Sequence, residues 1–374
     1  NNVSEPTIGK WQKIKNFLRK LNLFPSIPPS TNESDLRNQR ISTRLFVIAL
    51  VLSITILITY NSLIYVTMIG NTNSPDLTQY SDLYSQYPQT LTCPCTNITI
   101  EYGKFLEINY KLHQLCSSVF VSNNWFEYLD DADTNDASYI ADIRLSGTYM
   151  FQVLNTFCES SNKTISDSLS QFYSTEYASL NVISKQLFES QSQILMNQFI
   201  SSTENDFLLP LQIIRDMTEA NSLYTRHGIN YAFYGSSEVS TIVSSAITND
   251  NCSCLTEKCL VQVGILDYNN FTYSFNVSGL QLGCNAIDGI LQSTLECFYN
   301  QTCLNKVQSY IISPISINVI PLNSSLSSQF NQTSTIQDIM NELMVDKWTL
   351  SSVYENYYKE CQPIKCSYTY TDRN

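Results

Sequence analysis

The chain has 374 residues, a formal net charge of −12, 12 cysteines and two histidines. That acidic balance excludes nucleic-acid binding, which needs a basic surface to meet phosphates. Two histidines also leave little scope for zinc ligation or histidine-dependent catalysis.

The charge is unevenly spread, with +5 on residues 1–44 and −17 on the rest. Residues 1–43 read as a basic tail. Its segment KWQKIKNFLRKLNLF (10–24) puts Trp11, Ile14, Leu18 and Leu21 on one helical face, with Lys13, Arg19 and Lys20 elsewhere on the wheel. Such a helix beside a membrane rests on anionic lipid, or else the tail is simply solvated. Pro25, Pro28 and Pro29 end it, and residues 30–40 read as linker. From Leu45 to Pro75 there is no charge, and Leu45 to Tyr60 is almost wholly apolar. About 20 helical residues cross a bilayer core, so residues 44–69 are expected to form a transmembrane helix, with Tyr60 and Tyr65 at an interfacial belt. Basic flanks stay cytosolic, which puts the N-terminus inside and everything after about residue 70 outside.

All 12 cysteines follow that segment: Cys93, Cys95, Cys116, Cys158, Cys252, Cys254, Cys259, Cys284, Cys297, Cys303, Cys361 and Cys366. An even set confined to one side of a membrane reads as a disulfide framework in an oxidising compartment. Paired CxxC elements or regularly spaced histidines would mark zinc, and neither is present. Residues two apart bridge poorly, so Cys93 and Cys95 should reach different partners. Cys297–Cys303 and Cys361–Cys366 are the expected local pairs. N-x-S/T acceptor sites fall at Asn97, Asn162, Asn251, Asn270, Asn276, Asn300, Asn323 and Asn331 on the same side.

Residues 70–92 read as a polar stalk or irregular helix. Residues 93–250 read as mainly helical, because no Gly or Pro interrupts the chain between Gly147 and Pro210. Ile165, Leu169, Phe172, Leu180, Ile183, Leu187 and Ile194 recur at helical steps, which predicts helices over 138–160, 165–202 and 207–225, with this stripe facing the domain core. Residues 251–374 form a Cys-rich α+β part. A hairpin is expected over Cys259–Cys284 with its turn at Asn269-Asn270, helices over Ile287–Tyr299 and Thr335–Met344, and an extended edge segment over Tyr310–Leu322. The fold class is therefore α+β: one N-terminal transmembrane helix and a disulfide-stabilised, largely helical ectodomain with a β-containing C-terminal part.

Chemistry-bearing motifs are few. Asp131, Asp133, Asn135 and Asp142 stand at positions 1, 3, 5 and 12 of a calcium-loop pattern, but Asp136 replaces the turn glycine, so a solvated acidic loop is the competing reading. No GxSxG, HExxH, P-loop or GxGxxG occurs. His113, beside Cys116, reads as structural and His227-Gly228 as a turn. No catalytic residue and no cofactor is nominated.

The strings QRISTRLFVIALVLSITIL (39–57), LTCPCTNITIEYGKFL (91–106), LHQLCSSVFVSNNW (112–125), ILQSTLECFYNQTC (290–303) and YYKECQPIKCSYTYT (357–371) resemble an uncharacterised Cys-rich membrane-protein family of bdelloid rotifers. The resemblance implies no activity. It implies a second transmembrane helix after the Cys361-x4-Cys366 block, and since the chain stops at Asn374 and begins without Met, it reads as a fragment. Two spans around a large ectodomain would be similar in layout to the degenerin/epithelial sodium channel class. That class has a His-Gly pair in the tail before its first span, whereas the pair here is His227-Gly228. The leading expectation is a binding or recognition protein of the plasma or secretory-pathway membrane, the alternatives being a two-span channel subunit or a tethered ectoenzyme. Its expected partners are the lipid bilayer and an extracellular ligand or protein, with homo-oligomerisation left open.

Overall fold

The structure is a computed structural model describing residues 10–63, 65–134, 137, 141–220, 231–235, 240–244, 259–267 and 272–373. The chain divides into two compact units, Asn1–Cys93 with Ile364–Asn374, and Pro94–Pro363.

In the first unit, helix α1 (Lys10–Lys20) precedes α2 (Glu33–Leu63). Among the described residues α2 is the one helix long and apolar enough to cross a membrane, with a mean hydropathy of 2.4 in its most apolar window. Leu45–Leu63 would extend roughly 28 Å, against a hydrocarbon core of about 30 Å. Its apolar side chains face outward all round, and Thr43 is the buried exception. The expected helix over 44–69 is corrected at its far end. Helix α2 stops at Leu63, and β1 (Tyr65–Asn73) pairs antiparallel with β10 (Lys365–Arg373), from Tyr65 opposite Arg373 to Asn73 opposite Lys365. Val66, Thr67 and Ile69 favour a strand once a partner exists, but that partner, Lys365–Arg373, lies at the far end of the sequence. The expected stalk contains α3 (Leu77–Gln86), started by a reciprocal Asp76–Gln79 capping box. Cys93–Cys366 and the stacked rings of Tyr87 and Tyr368, 4.5 Å apart, tie this unit together.

The second unit opens with β2 (Thr99–Glu101), β3 (Leu106–Leu112) and α4 (Asn123–Asp130). Next come α5 (Ile143–Ser174), β4 (Glu176–Ala178) and α6 (Lys185–Ala220). Strands β5 (Tyr231–Gly235) and β6 (Ser240–Ser244) follow, then β7 (Leu260–Leu266) and β8 (Tyr273–Gly283). The C-terminal part adds α7 (Ala286–Gln292), α8 (Gln301–Tyr310), α9 (Ile336–Asn341), β9 (Val345–Ser352) and α10 (Tyr354–Cys361). The described strands form two-stranded antiparallel sheets, β2 with β4, β3 with β9, β5 with β6 and β7 with β8. The fold is α+β, and the Cys259–Cys284 hairpin is present as β7–β8; its expected turn at Asn269-Asn270 lies outside the described residues.

Several helix boundaries differ from expectation. Helix α5 runs unbroken through 161–164, because nothing there disrupts the ladder. It ends at Ser174 without glycine, where the Ser174 and Thr175 hydroxyls donate to the Gln171 carbonyl (2.8 and 3.1 Å) and satisfy the helix end. The helix expected over 165–202 is split: 165–174 are the end of α5, 175–184 are not helical, and 185–202 belong to α6. That helix runs on through the expected break and carries Pro210 inside it as far as Ala220; residues 221–225 lie outside the described residues. The helix expected over Ile287–Tyr299 stops at Gln292. The stretch 311–323 is irregular rather than an edge strand, and it buries Ile311, Val319 and Leu322 in the core.

The division expected at residue 250 does not separate the hydrophobic core. Phe120, Trp125 and Phe151 from the helical part interlock edge-to-face with Phe298 from the Cys-rich part, and Ile290, Leu291, Ile336, Ile339 and Met340 complete the same cluster.

Candidate functional site

The break at 175–184 resets the helical phase, and this overturns part of the expected core stripe. On α5, Ile165 and Leu169 are buried as expected, whereas Leu180 and, on α6, Leu187 and Ile194 are exposed. The face of α6 that packs inward is instead Phe188, Ser192, Met196, Phe199 and Thr203. A periodicity extrapolated across a non-helical stretch loses its phase.

Where the last turns of α5 lie beside α6, they frame a groove of about 330 Å³. Tyr102, Phe172 and Phe199 form its aromatic floor, with ring centroids of Tyr102–Phe172 and Phe172–Phe199 both 4.9 Å apart. Its rim carries Ser168, Gln171, Gln198 and Ser202, and Asp206 supplies a carboxylate. Burial raises the Tyr102 phenol above its usual pKa, so it is a neutral hydrogen-bonding group at physiological pH. Aromatic faces below amides and hydroxyls suit a ligand with one apolar face and a hydrogen-bonding edge. Sequence reading missed this groove, because its lining combines polar residues from two helices that only the turn at 175–184 brings side by side.

A second depression of about 530 Å³ borders α6 at Asp206, Leu209, Gln212 and Arg215. Arg215 is already engaged there: its guanidinium pairs with Asp288 (2.8 Å) and donates to Gln337 (3.1 Å). It locks α6 to α7 and α9.

The calcium-loop reading is corrected at its last position. Asp131 and Asp133 are exposed and Asn135 lies outside the described residues, but Asp142 is fully buried as the N-cap of α5. One carboxylate oxygen accepts from the Arg144 backbone N–H and Nε (both 2.9 Å). The other accepts from Arg144 Nη2 (2.7 Å) and from the Leu266 N–H (3.0 Å). Both oxygens are used within the fold. Among the described residues no cluster of three His, Cys, Asp or Glu side chains is placed to hold a metal ion.

Cysteine geometry follows expectation in part. Cys297–Cys303 is bonded, and Cys93 and Cys95 reach different partners, Cys366 and Cys361. The expected Cys361–Cys366 pair is thereby corrected. Those residues sit on α10 and β10: the bridge between Thr92 and Ser367 sets Cys366 beside Cys93, and the Thr96 N–H donating to the Cys361 carbonyl (2.8 Å) sets Cys361 beside Cys95. Cys116–Cys158 staples α5 to the turn before α4. Cys259 and Cys284 are disulfide-bonded, and Cys252 and Cys254 lie outside the described residues.

Of the glycan acceptor sites, Asn251 and Asn270 lie outside the described residues, and Asn97, Asn162, Asn276, Asn300, Asn323 and Asn331 are all exposed. Asn162, Asn300, Asn323 and Asn331 accept hydrogen bonds through their amide oxygen. Asn97 instead donates its amide nitrogen, the atom a glycan would take, to the Glu360 carbonyl (2.8 Å).

His113 is buried and structural. Its Nδ1 accepts from the Leu115 N–H (3.3 Å), which leaves Nε2 protonated and facing the Tyr299 hydroxyl (3.3 Å). Burial lowers its pKa, and nearby Asp346 opposes that shift. His227 lies outside the described residues.

No protein-family model, curated protein or solved structure compared with the chain matches it.

Proposed function

We propose that the protein is a membrane-anchored, N-glycosylated cell-surface protein whose disulfide-stabilised ectodomain binds an extracellular ligand without transforming it. The groove between α5 and α6 carries this reading, since its lining offers shape, stacking surface and hydrogen bonds, while its titratable groups are one phenol and one carboxylate. Residues 1–44 carry +5, all the cysteines follow the apolar helix, and the described acceptor asparagines are exposed; these support an inward N-terminus and an exported, glycosylated ectodomain. The ligand class is a neutral polar molecule with an apolar face, such as a sugar ring.

The test presents the full chain in lipid nanodiscs to panels of glycans and peptides, beside a Ser202→Trp variant that fills the groove from its exposed rim. Wild-type binding abolished by Ser202→Trp at unchanged melting temperature supports the reading. Binding that survives the substitution moves the site elsewhere, and turnover of the bound ligand replaces a binding protein with an ectoenzyme. Glycosidase treatment that leaves the mobility of the expressed chain unchanged would refute the glycosylated ectodomain.

A second reading, a subunit of a two-span channel, is favoured by one observation. The β1–β10 register sets Arg373 opposite Tyr65, so the chain is carried back to the level at which α2 ends. Sequencing the transcript past the codon for Asn374 checks it. An apolar run interrupted by Gly or Ser supports the channel layout, and a stop codon removes it.

A further inference from the structure

Helix α1 leaves a whole apolar face uncovered: Trp11, Ile14, Phe17 and Leu18 are all exposed, Trp11 at 85%. At about 100° per residue these four fall within an arc of roughly 120°, the width of a face that normally has a partner. Lys15 and Arg19 flank that arc on one side and Lys20 on the other, all exposed. No acidic residue occurs in the helix.

The segment after α1 is held against α2 just where the apolar span begins. The Leu23 N–H donates to the Thr43 hydroxyl (3.0 Å), and that hydroxyl donates on to the Gln39 carbonyl (2.9 Å). Asn22 donates to Gln39 (2.7 Å), and Phe24 meets Phe46 edge-to-face at 5.5 Å. Thr43 is the one buried side chain of α2, and the groups of this clamp lie against it. Lys20 is three residues from Leu23, a reach of at most about 10 Å. The C-terminal end of α1 is therefore tethered at the level of Thr43 to Phe46, where charged residues give way to the uncharged run.

We infer that α1 is a membrane-docking helix, lying in the headgroup region at the N-terminal end of the span with Trp11, Ile14, Phe17 and Leu18 in the acyl boundary and Lys15, Arg19 and Lys20 on anionic phospholipid headgroups. The occupant follows from charge complementarity and from continuity, since the apolar face of α1 adjoins the lipid-facing surface of α2. The inference rests on α2 being a membrane span and is independent of which side the N-terminus faces.

The full chain is reconstituted in vesicles of phosphatidylcholine alone and of phosphatidylcholine with phosphatidylserine, both carrying brominated acyl chains. Subtracting the spectrum of a Trp11→Phe variant isolates the Trp11 emission. In the phosphatidylserine vesicles that emission is expected to be blue-shifted and quenched. Neutralising the three flanking charges (Lys15→Gln, Arg19→Gln, Lys20→Gln) is expected to lower the docked-to-undocked ratio by roughly a hundredfold, from about a factor of five for each charge near an anionic surface. Water-like, unquenched Trp11 emission in phosphatidylserine vesicles, from a chain that resists alkaline carbonate extraction, overturns the docking while leaving the span intact. Equal quenching in both preparations overturns the anionic requirement. Extraction of the chain by carbonate overturns the span, and the docking with it.

Discussion

Asp142→Ala tests whether the acidic residue at the start of α5 is a structural clamp or a cation ligand. The carboxylate is fully buried, and it caps α5, pairs with a guanidinium that is 9% exposed and accepts the Leu266 N–H from β7. Loss of an N-cap costs about 1 kcal/mol. Breaking a buried pair from one side costs about 3–5 kcal/mol, because the remaining charge stays desolvated. Together these predict a loss of about 4–6 kcal/mol, large against the 5–15 kcal/mol by which domains are stable. In a unit of this size that lowers the melting temperature by roughly 10–20 °C. The assay is thermal unfolding of the full chain in detergent, followed by near-UV circular dichroism with disulfides intact. Asp142→Asn keeps an acceptor for the cap and should lose less. Replacing both partners, Asp142→Ala with Arg144→Met, should recover part of the loss, since the stranded charge is gone. An Asp142→Ala protein melting within about 2 °C of wild type, a shift worth under about 1 kcal/mol, would refute the clamp. A rise in the wild-type melting temperature with millimolar calcium that Asp142→Asn abolishes would restore the cation site.

The tandem staples Cys93–Cys366 and Cys95–Cys361 enclose nearly the same chain, with sequence separations of 273 and 266. With one in place the other closes only a short ring, so a single Cys→Ser pair should cost about 2 kcal/mol, and removing both should cost about 8 kcal/mol by loop entropy, more than the two singles summed; additive losses in non-reducing denaturant titrations would contradict this. Gly279 has φ 83°, and an added Cβ would fall inside the Thr294 hydroxyl, so Gly279→Ala should destabilise by about 2–4 kcal/mol from left-handed strain plus displacement of Thr294. A denaturation midpoint matching wild type would mean that the register shift of β8 around Gly279 has another conformation. His113 has its pKa lowered by burial from 6.5, so the unfolded chain takes up its proton first. The stability it contributes is complete above about pH 6.5 and is lost as pH falls from there through the folded value. The difference in stability between wild type and His113→Gln should therefore narrow on acidification, and a difference constant from pH 7 to 5 would place a charged imidazole in the fold.

Some features were legible because their signals are local. The apolar span, the hairpin over β7–β8, the Thr335 start of α9 and the Cys297–Cys303 bridge each depend on residues within about one element's length of one another. The groove was not legible. It depends on a helix ending through hydroxyl-to-carbonyl bonds at Ser174 and Thr175, with no glycine or proline to announce it, and on a phase reset that exposes Leu187 and Ile194 while burying Phe188 and Met196. Asp142 has the spacing of a cation ligand, and whether its oxygens are free depends on Leu266, 124 residues away.

By itself the sequence determined the charge asymmetry, the confinement of cysteines to one side of an apolar helix and the α+β texture, since composition and short periodicities survive without knowledge of distant contacts. Tertiary structure alone decided that the span gives way to a strand at Tyr65, that Cys361 and Cys366 look to Cys95 and Cys93, and that α1 is tethered where α2 becomes apolar. Each of these depends on a pairing between segments far apart in the chain. The free energy of such a pairing belongs to both partners at once, so neither segment read alone discloses it.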